Sequence, residues 1–381
     1  MEKKHKGSLY DRYSISELIF KVFINKLLRF SFTKKIAFRL LKGILSNPEN
    51  TICKMIHKIY FSGTTQHDAQ RSAISLFKKG IFSILDYASE GNDDEIAFDT
   101  TVENIISNIK SSACLDYVPY IAVKPTSIGA ARIYRFKCHE NEMDEDSIEA
   151  WDRITLRFRR IFDIATCYRV RIMIDAEQTS IQPAVDKLMI SMMQTYNRDW
   201  PVINLTLQFY LKAQQKKLES YYIQSHKYNF ILGLKVVRGA YLEHERNSYG
   251  KHLCFNSKHE TDESFNKATT YISERLDRIY PFFATHNEVS LEKIMLNDNL
   301  RFAKVWTGQL YGMSDHLSYY LVNSDLRVCK YLPYGPIKTS LPYLIRRIEE
   351  NALAPETFKK ENIFLFHEIK CRLTGGQSAR I

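Results

Sequence analysis

The chain has 381 residues, 45% of them hydrophobic and 25% charged, with a formal net charge of +11. That length holds a barrel of about 250 residues plus an extension, and the composition excludes disordered, collagenous and disulfide-stapled classes. The charge is not a nucleic-acid stripe: residues 1–42 hold eleven Lys and Arg against three acids, leaving about +3 elsewhere, so no nucleic-acid partner is expected.

The seven cysteines (Cys53, Cys114, Cys138, Cys167, Cys254, Cys329, Cys371) are odd in number, widely spaced and lack a C-x-x-C pair. They read as reduced thiols in a reducing compartment, which excludes a zinc ribbon or a thioredoxin-like site. No apolar window approaches the ~18 residues a bilayer-spanning helix needs.

In chain order, Ser14-x-x-Glu17 has capping-box spacing and precedes apolar positions at Leu18, Ile19, Val22, Phe23, Leu27 and Phe30, which predicts an amphipathic helix. Two readings are open: a helix packed on the catalytic part with its basic face solvated, or a face that also docks on an anionic membrane surface. Three acids among residues 1–42 argue against a cleaved import peptide. Residues 1–79 are expected to form this basic helical extension, and 80–375 the catalytic barrel.

From Gly80, β-branched or aromatic runs alternate with helical patterns. The runs are Ile81–Ala88, Val118–Thr126, Val170–Glu177, Val202–Tyr210, Ile231–Tyr241, Phe282–Asn287, Phe302–Met313 and Val328–Gly335, with helical periodicity at Ile148–Ile164 and Glu263–Ile279. Eight strands alternating with helices predict a (β/α)8 barrel. An open doubly wound sheet is the alternative, but no G-x-G-x-x-G follows the first strand.

Barrel active sites form at the C-terminal strand ends, so the polar residues closing these runs are the candidates. They include Lys124, Asp175 with Ala176, Gln208, Lys235 with Arg238-Gly239-Ala240-Tyr241, Thr285-His286, Leu310 and Tyr331. Singly, each has a plain structural reading: a salt-bridged strand end, a satisfied histidine, a turn glycine, a core leucine. No metal site is expected, because no second ligand stands at suitable spacing beside His286.

After the eighth run comes Pro342-Tyr343-Leu344-Ile345-Arg346-Arg347-Ile348-Glu349-Glu350-Asn351. Pro342 can open a helix on which Glu350 follows Arg346 by four residues and Arg347 by three. This is either a solvated charged face or a carboxylate clamp, since a guanidinium fork matches a carboxylate bidentately.

Taken in order, Gly80-Ile81-Phe82-Ser83-Ile84-Leu85-Asp86-Tyr87, Asp175-Ala176-Glu177-Gln178-Thr179, Lys235-Val236-Val237-Arg238-Gly239-Ala240-Tyr241, Thr285-His286-Asn287, Gln309-Leu310-Tyr311-Gly312-Met313, Tyr331-Leu332-Pro333-Tyr334-Gly335 and the Arg346-Arg347 helix resemble proline dehydrogenase. The resemblance runs from about Ile59 to about Asn351. It implies a distorted (β/α)8 TIM-type barrel holding FAD noncovalently, with a final helix over the barrel mouth. The substrate-carboxylate ligands of the family fall on Lys124, Arg346 and Arg347, the aromatic lid on Tyr331, and further pocket walls on Tyr241 and Leu310. The flavin side falls on Ala176, Gln208, Lys235, Arg238, Gly239, Ala240, Thr285 and His286, with Asp175 and Glu350 as orienting carboxylates. Where some bacterial members carry arginine beside the flavin, this chain has Lys235.

The resemblance implies oxidation of L-proline to 1-pyrroline-5-carboxylate, with electrons passed to a membrane quinone, as the first step of proline catabolism to glutamate. Asp175, Lys235 and Tyr331 would act at the reacting centre. Hydroxyproline dehydrogenase is the nearest alternative, and Tyr331 opposes it because a smaller residue would leave room for a ring hydroxyl. The expected location is peripheral to a membrane, in a bacterial cytoplasm or a mitochondrial matrix.

Overall fold

A computed structural model of the chain describes residues 10–29, 43, 47, 49–88, 94–138, 143–249, 252–338, 340, 343 and 355–375. Short runs rich in Ile, Val, Leu, Phe and Tyr form the strands: β1 Phe82–Tyr87, β2 Tyr120–Val123, β3 Arg171–Ile174, β4 Ile203–Gln208, β5 Leu232–Val237, β6 Ile279–Ala284, β7 Trp306–Leu310 and β8 Arg327–Tyr334. They close in sequence order into one barrel, and neighbours from β1 to β7 pair in parallel. Branched and aromatic side chains favour such a pleated, doubly covered surface. This is the (β/α)8 architecture expected from the sequence.

The helices are α1 Ile15–Arg29, α2 Thr51–Tyr60, α3 Gln66–Phe77, α4 Glu95–Ser112, α5 Ala131–Cys138, α6 Glu145–Tyr168, α7 Gln182–Tyr196, α8 Gln214–Lys227, α9 Leu242–Tyr249, α10 Lys258–Ser273, α11 Glu288–Met295, α12 Asp298–Phe302, α13 Asp315–Val322 and α14 Pro355–Thr374. Their starts follow local chemistry. Thr65 and Asp68 form a capping box on α3, Ser257 and Glu260 one on α10, and Asn287 caps α11.

By internal contacts the chain divides into two compact units, Met1–Ser83 with Gln309–Ser324 and Val328–Ile381, and Ile84–Gly308 with Asp325–Arg327. In the second, the Tyr120 ring meets Phe282 and Trp306 edge-on at 5.4 and 5.6 Å, plugging that part of the barrel core. In the first, α1 packs along α14. Lys21 is 1% exposed and lies 2.7 Å from Glu361, Asn25 donates to Asn362, and Arg372 donates to the carbonyls of Tyr10 and Tyr13.

This packing corrects the reading of α1 as a helix with a wholly solvated basic face. The Ser14–Glu17 capping box forms, but Lys21 is an interior cation, while Ile19 and Phe23 of the apolar stripe are exposed. Strand limits differ too. Phe302 ends α12, so β7 begins at Trp306, and Ile279 opens β6 where a helix end was expected. All seven cysteines are free thiols.

Candidate active site at the strand ends

A row of alternating charges crosses the ends of β1, β2, β3 and β5. Asp86 near the end of β1 accepts from Lys124 Nζ at 2.7 Å; Lys124, just past β2, lies 3.5 Å from Asp175; and Asp175, just past β3, accepts from Lys235 of β5 at 2.5 Å. Each of the four side chains is at least four-fifths buried. Charges so deep persist only when paired, and here each cation faces a carboxylate. The sequence places them by period: Asp86 and Lys235 interrupt apolar strands, and Lys124 and Asp175 each follow the last strand residue.

Glu177, just past β3, ties the ends of β2, β4 and β5 together. Its carboxylate accepts from the Thr126 hydroxyl at 2.6 Å and from the Tyr241 hydroxyl at 3.4 Å. Its carbonyl accepts from Gln208 Nε2 at 2.9 Å, and Gln208 Oε1 accepts from the Ala240 amide at 3.4 Å. Tyr241 and Gln208 are thereby oriented through one residue that is 7% exposed. Gly239 between them has φ +120°, and a Cβ there would stand 2.1 Å from the Tyr210 ring, so no other residue fits this turn without displacement.

Arg238 fixes the next corner. Its Nε donates to Asp262 at 2.5 Å and its terminal nitrogens to the hydroxyls of Thr285 and Ser290 at 2.6 and 2.8 Å. The guanidinium also lies 4.4 Å from the centroid of Phe265. Burial pulls its pKa down, against the opposing pull of Asp262. Thr285 also accepts from the Asn287 amide, while Ala176 just past β3 and His286 just past β6 are half-buried. Together Gln208, the Ala240 amide, Arg238, Thr285 and Lys235 present amide, hydroxyl and cationic donors.

In the other compact unit, Leu310 ends β7 and Tyr331 lies on β8, 8% exposed, with the Tyr311 amide donating to the Tyr331 carbonyl at 3.0 Å. Arg346, Arg347 and Glu350 lie outside the described residues. Asp86, Glu177, Asp262 and Lys330 had no role assigned from sequence. The signal was present for Asp86 and Lys330, each a charge flanked by apolar strand residues, but their partners are distant in the chain. Among the described residues no group of three His, Cys, Asp or Glu side chains is placed to hold a metal ion, and no helix is long and apolar enough to cross a membrane.

Comparison with known proteins bears on the family and the fold. The family model described as "Proline dehydrogenase" matches residues 69–360. "Carbapenem antibiotics biosynthesis protein CarD" of Pectobacterium carotovorum subsp. carotovorum is 48% identical, covering 97% of this chain and 98% of its own. "Proline dehydrogenase 1, mitochondrial" of Dictyostelium discoideum is 30% identical, covering 96% of this chain and 74% of its own. The crystal structure of proline utilization A (PutA) from Bdellovibrio bacteriovorus, inactivated by N-propargylglycine, superposes with a TM-score of 0.70 at 17% identity. That match covers 92% of this chain and 40% of the PutA chain, so this chain spans about two-fifths of that protein, and the likeness is one of fold. On the family match over most of its length, the chain belongs to the proline dehydrogenase family of oxidoreductases.

Proposed function

We propose that this chain oxidises L-proline to 1-pyrroline-5-carboxylate with FAD as its cofactor, and that the electrons pass to a membrane quinone. The observation that carries the reading is the buried Asp86–Lys124–Asp175–Lys235 row at the barrel strand ends, within the segment matched by the family. The donor set at the ends of β4 to β6 suits a flavin: Gln208, the Ala240 amide and Thr285 suit ring carbonyls and hydroxyls, Arg238 and Lys235 suit negative charge, and Gly239 lets the turn that carries them pack on the Tyr210 ring. Ala176 and His286 complete that side, and Glu350 is assigned an orienting role. Bound there, FAD would supply the two-electron acceptor for the hydride that leaves proline C5.

The residues of the chain do the positioning. Lys124, Arg346 and Arg347 bind the proline carboxylate, and Tyr331, Leu310 and Tyr241 enclose the ring, which leaves few poses other than the one presenting C5. Asp175 holds Lys235, so the ammonium keeps its place and stabilises negative charge developing on the electron-accepting side. A residue smaller than Tyr331 would leave room for a ring hydroxyl, which supports proline over hydroxyproline as substrate. Steady-state turnover with L-proline and a soluble quinone, with the product trapped as its coloured o-aminobenzaldehyde adduct, tests the reading. Adduct formation that depends on both reagents supports it; quinone reduction without adduct, or neither, contradicts it.

The fate of the product has two readings. Oxidation as the first step of catabolism to glutamate is one. The 48% identity across nearly the full length of a protein named for carbapenem biosynthesis favours a second, in which the released pyrroline feeds a biosynthetic step. Peripheral attachment to an anionic membrane, where quinone resides, is consistent with the exposed Ile19 and Phe23 of α1 and involves Lys26, not the interior Lys21.

A further inference from the structure

We propose that Arg12, in the segment before α1, is a positioning residue for the substrate pocket, acting through Asp315 and Lys330 on the turn that follows β7. The proposal rests on the reading of Leu310 and Tyr331 as pocket walls, and it assigns to the N-terminal segment a part in substrate binding. Arg12 lies outside residues 69–360, the stretch the family model matches.

The chain of contact starts at Lys330, a β8 residue only 1% exposed. Its ammonium donates to the carbonyl of Leu310 at 3.3 Å and of Met313 at 2.5 Å, and lies 2.9 Å from Asp315. One cation therefore brackets the whole Leu310–Met313 turn. The turn has no slack on its other side: Gly312 has φ +78°, and a Cβ there would stand 2.2 Å from the Ile59 carbonyl oxygen. Because the Tyr311 amide also donates to the carbonyl of Tyr331, the residue next to Lys330, both pocket walls follow this ammonium.

An ammonium in the interior must be matched in charge, and Asp315 supplies the match from α13. Burial pulls the Lys330 pKa down and Asp315 opposes it, while burial of Asp315 is outweighed by Lys330 and then Arg12, which hold its carboxyl well below the usual range. Asp315 Oδ2 has no hydrogen-bond partner, and the Arg12 guanidinium stands 3.6 Å from it. The same guanidinium lies 3.8 Å from the centroid of the Tyr311 ring and 4.1 Å from that of Tyr13. Arg12 thus reaches the turn twice, through charge on Asp315 and by stacking on Tyr311.

Without Arg12, Asp315 keeps Lys330 as its cation and draws it away from its longer bond, the one to the Leu310 carbonyl. The Tyr311 ring loses its cover at the same time. Leu310 and Tyr331 then relax away from the substrate, whereas the flavin-side residues of β4 to β6 are held by their own bonds to Glu177 and Asp262.

The test compares Arg12→Ala, Arg12→Lys and Arg12→Gln with the parent holoenzyme. Arg12→Ala is expected to raise the proline KM by about tenfold with kcat and bound flavin changed by less than about twofold, since a partly buried cation is lost from one carboxylate and one ring. The preference for proline over hydroxyproline should fall with it, and Arg12→Lys should recover much of both. A proline KM and substrate preference equal to the parent's in flavin-loaded Arg12→Ala, even with a lowered melting temperature, would overturn the proposal by reducing Arg12 to a structural tie. Should Arg12→Ala fail to fold, Arg12→Gln is expected to have the higher KM of the remaining pair, and equal values would overturn the proposal. A parent whose flavin is not reduced by proline would instead refute the pocket reading itself.

Discussion

Replacing Lys124 by Met removes the cation from between two carboxylates while keeping the bulk of the side chain. Asp86, with a side chain 2% exposed, then loses an ammonium at 2.7 Å, and Asp175 loses one at 3.5 Å but keeps Lys235. Breaking a buried pair from one side costs about 3–5 kcal/mol, because the remaining interior charge loses the cation that offsets its desolvation. Adding Asp86→Asn to the same chain removes that stranded charge and should restore most of the loss. Proline binding should not recover, since a charge-assisted bond to the substrate carboxylate contributes about 1.5–3 kcal/mol, or roughly ten- to hundredfold in KM. Urea denaturation of the single and double variants measures the first effect, and proline titration of the flavin spectrum measures the second. A double variant that binds proline as tightly as the parent would remove Lys124 from the substrate site. A single variant as stable as the parent would show that the pair is not buried.

Glu361→Gln should destabilise the fold by about 3–5 kcal/mol in urea, with recovery on adding Lys21→Met, because Lys21 is otherwise left as an unpaired interior cation; an unchanged midpoint would return Lys21 to the solvated face. Tyr331→Ser should lower kcat/KM for proline and raise the hydroxyproline-to-proline ratio, and a ratio that does not move would refute the lid. Burial lowers the His57 pKa from 6.5 to about 4, with the Gly335 backbone opposing. The unfolded chain therefore takes up a proton that the folded chain refuses in that window, so stability holds above it and falls by about 3 kcal/mol as pH drops through it. His57→Leu should flatten the dependence of the urea midpoint between pH 6.5 and 4, and an unaltered slope would assign it to other groups.

The eight strands were legible because apolar, branched runs bounded by turn residues are a local signal. Their limits were less so. Pro281 hid the start of β6: a proline without an amide hydrogen argues against a strand, yet here it pairs with Leu234 inside the barrel. Phe302 looked like strand but ends a short helix capped by Asn297, where it is 78% exposed. Interior polar partners were the least legible. Lys21 meets Glu361 across 340 residues, Glu177 meets Tyr241 across 64, and Lys124 meets Asp86 across 38. Helical or strand period says which face a residue occupies, but only the closed barrel and the α1–α14 packing say what stands opposite. The candidate positions at the strand ends, Asp175 among them, followed from barrel geometry and resemblance together, whereas Asp86, Glu177 and Asp262, which hold several of them, did not.

The proposed function requires that residues at the ends of β4 to β6 hold a flavin which L-proline reduces. The purified protein should show the visible absorbance of an oxidised flavin. Under anaerobic conditions that band should bleach on adding L-proline and return on adding a soluble quinone. A flavin-loaded protein whose spectrum is indifferent to L-proline would show that the chain does not oxidise proline.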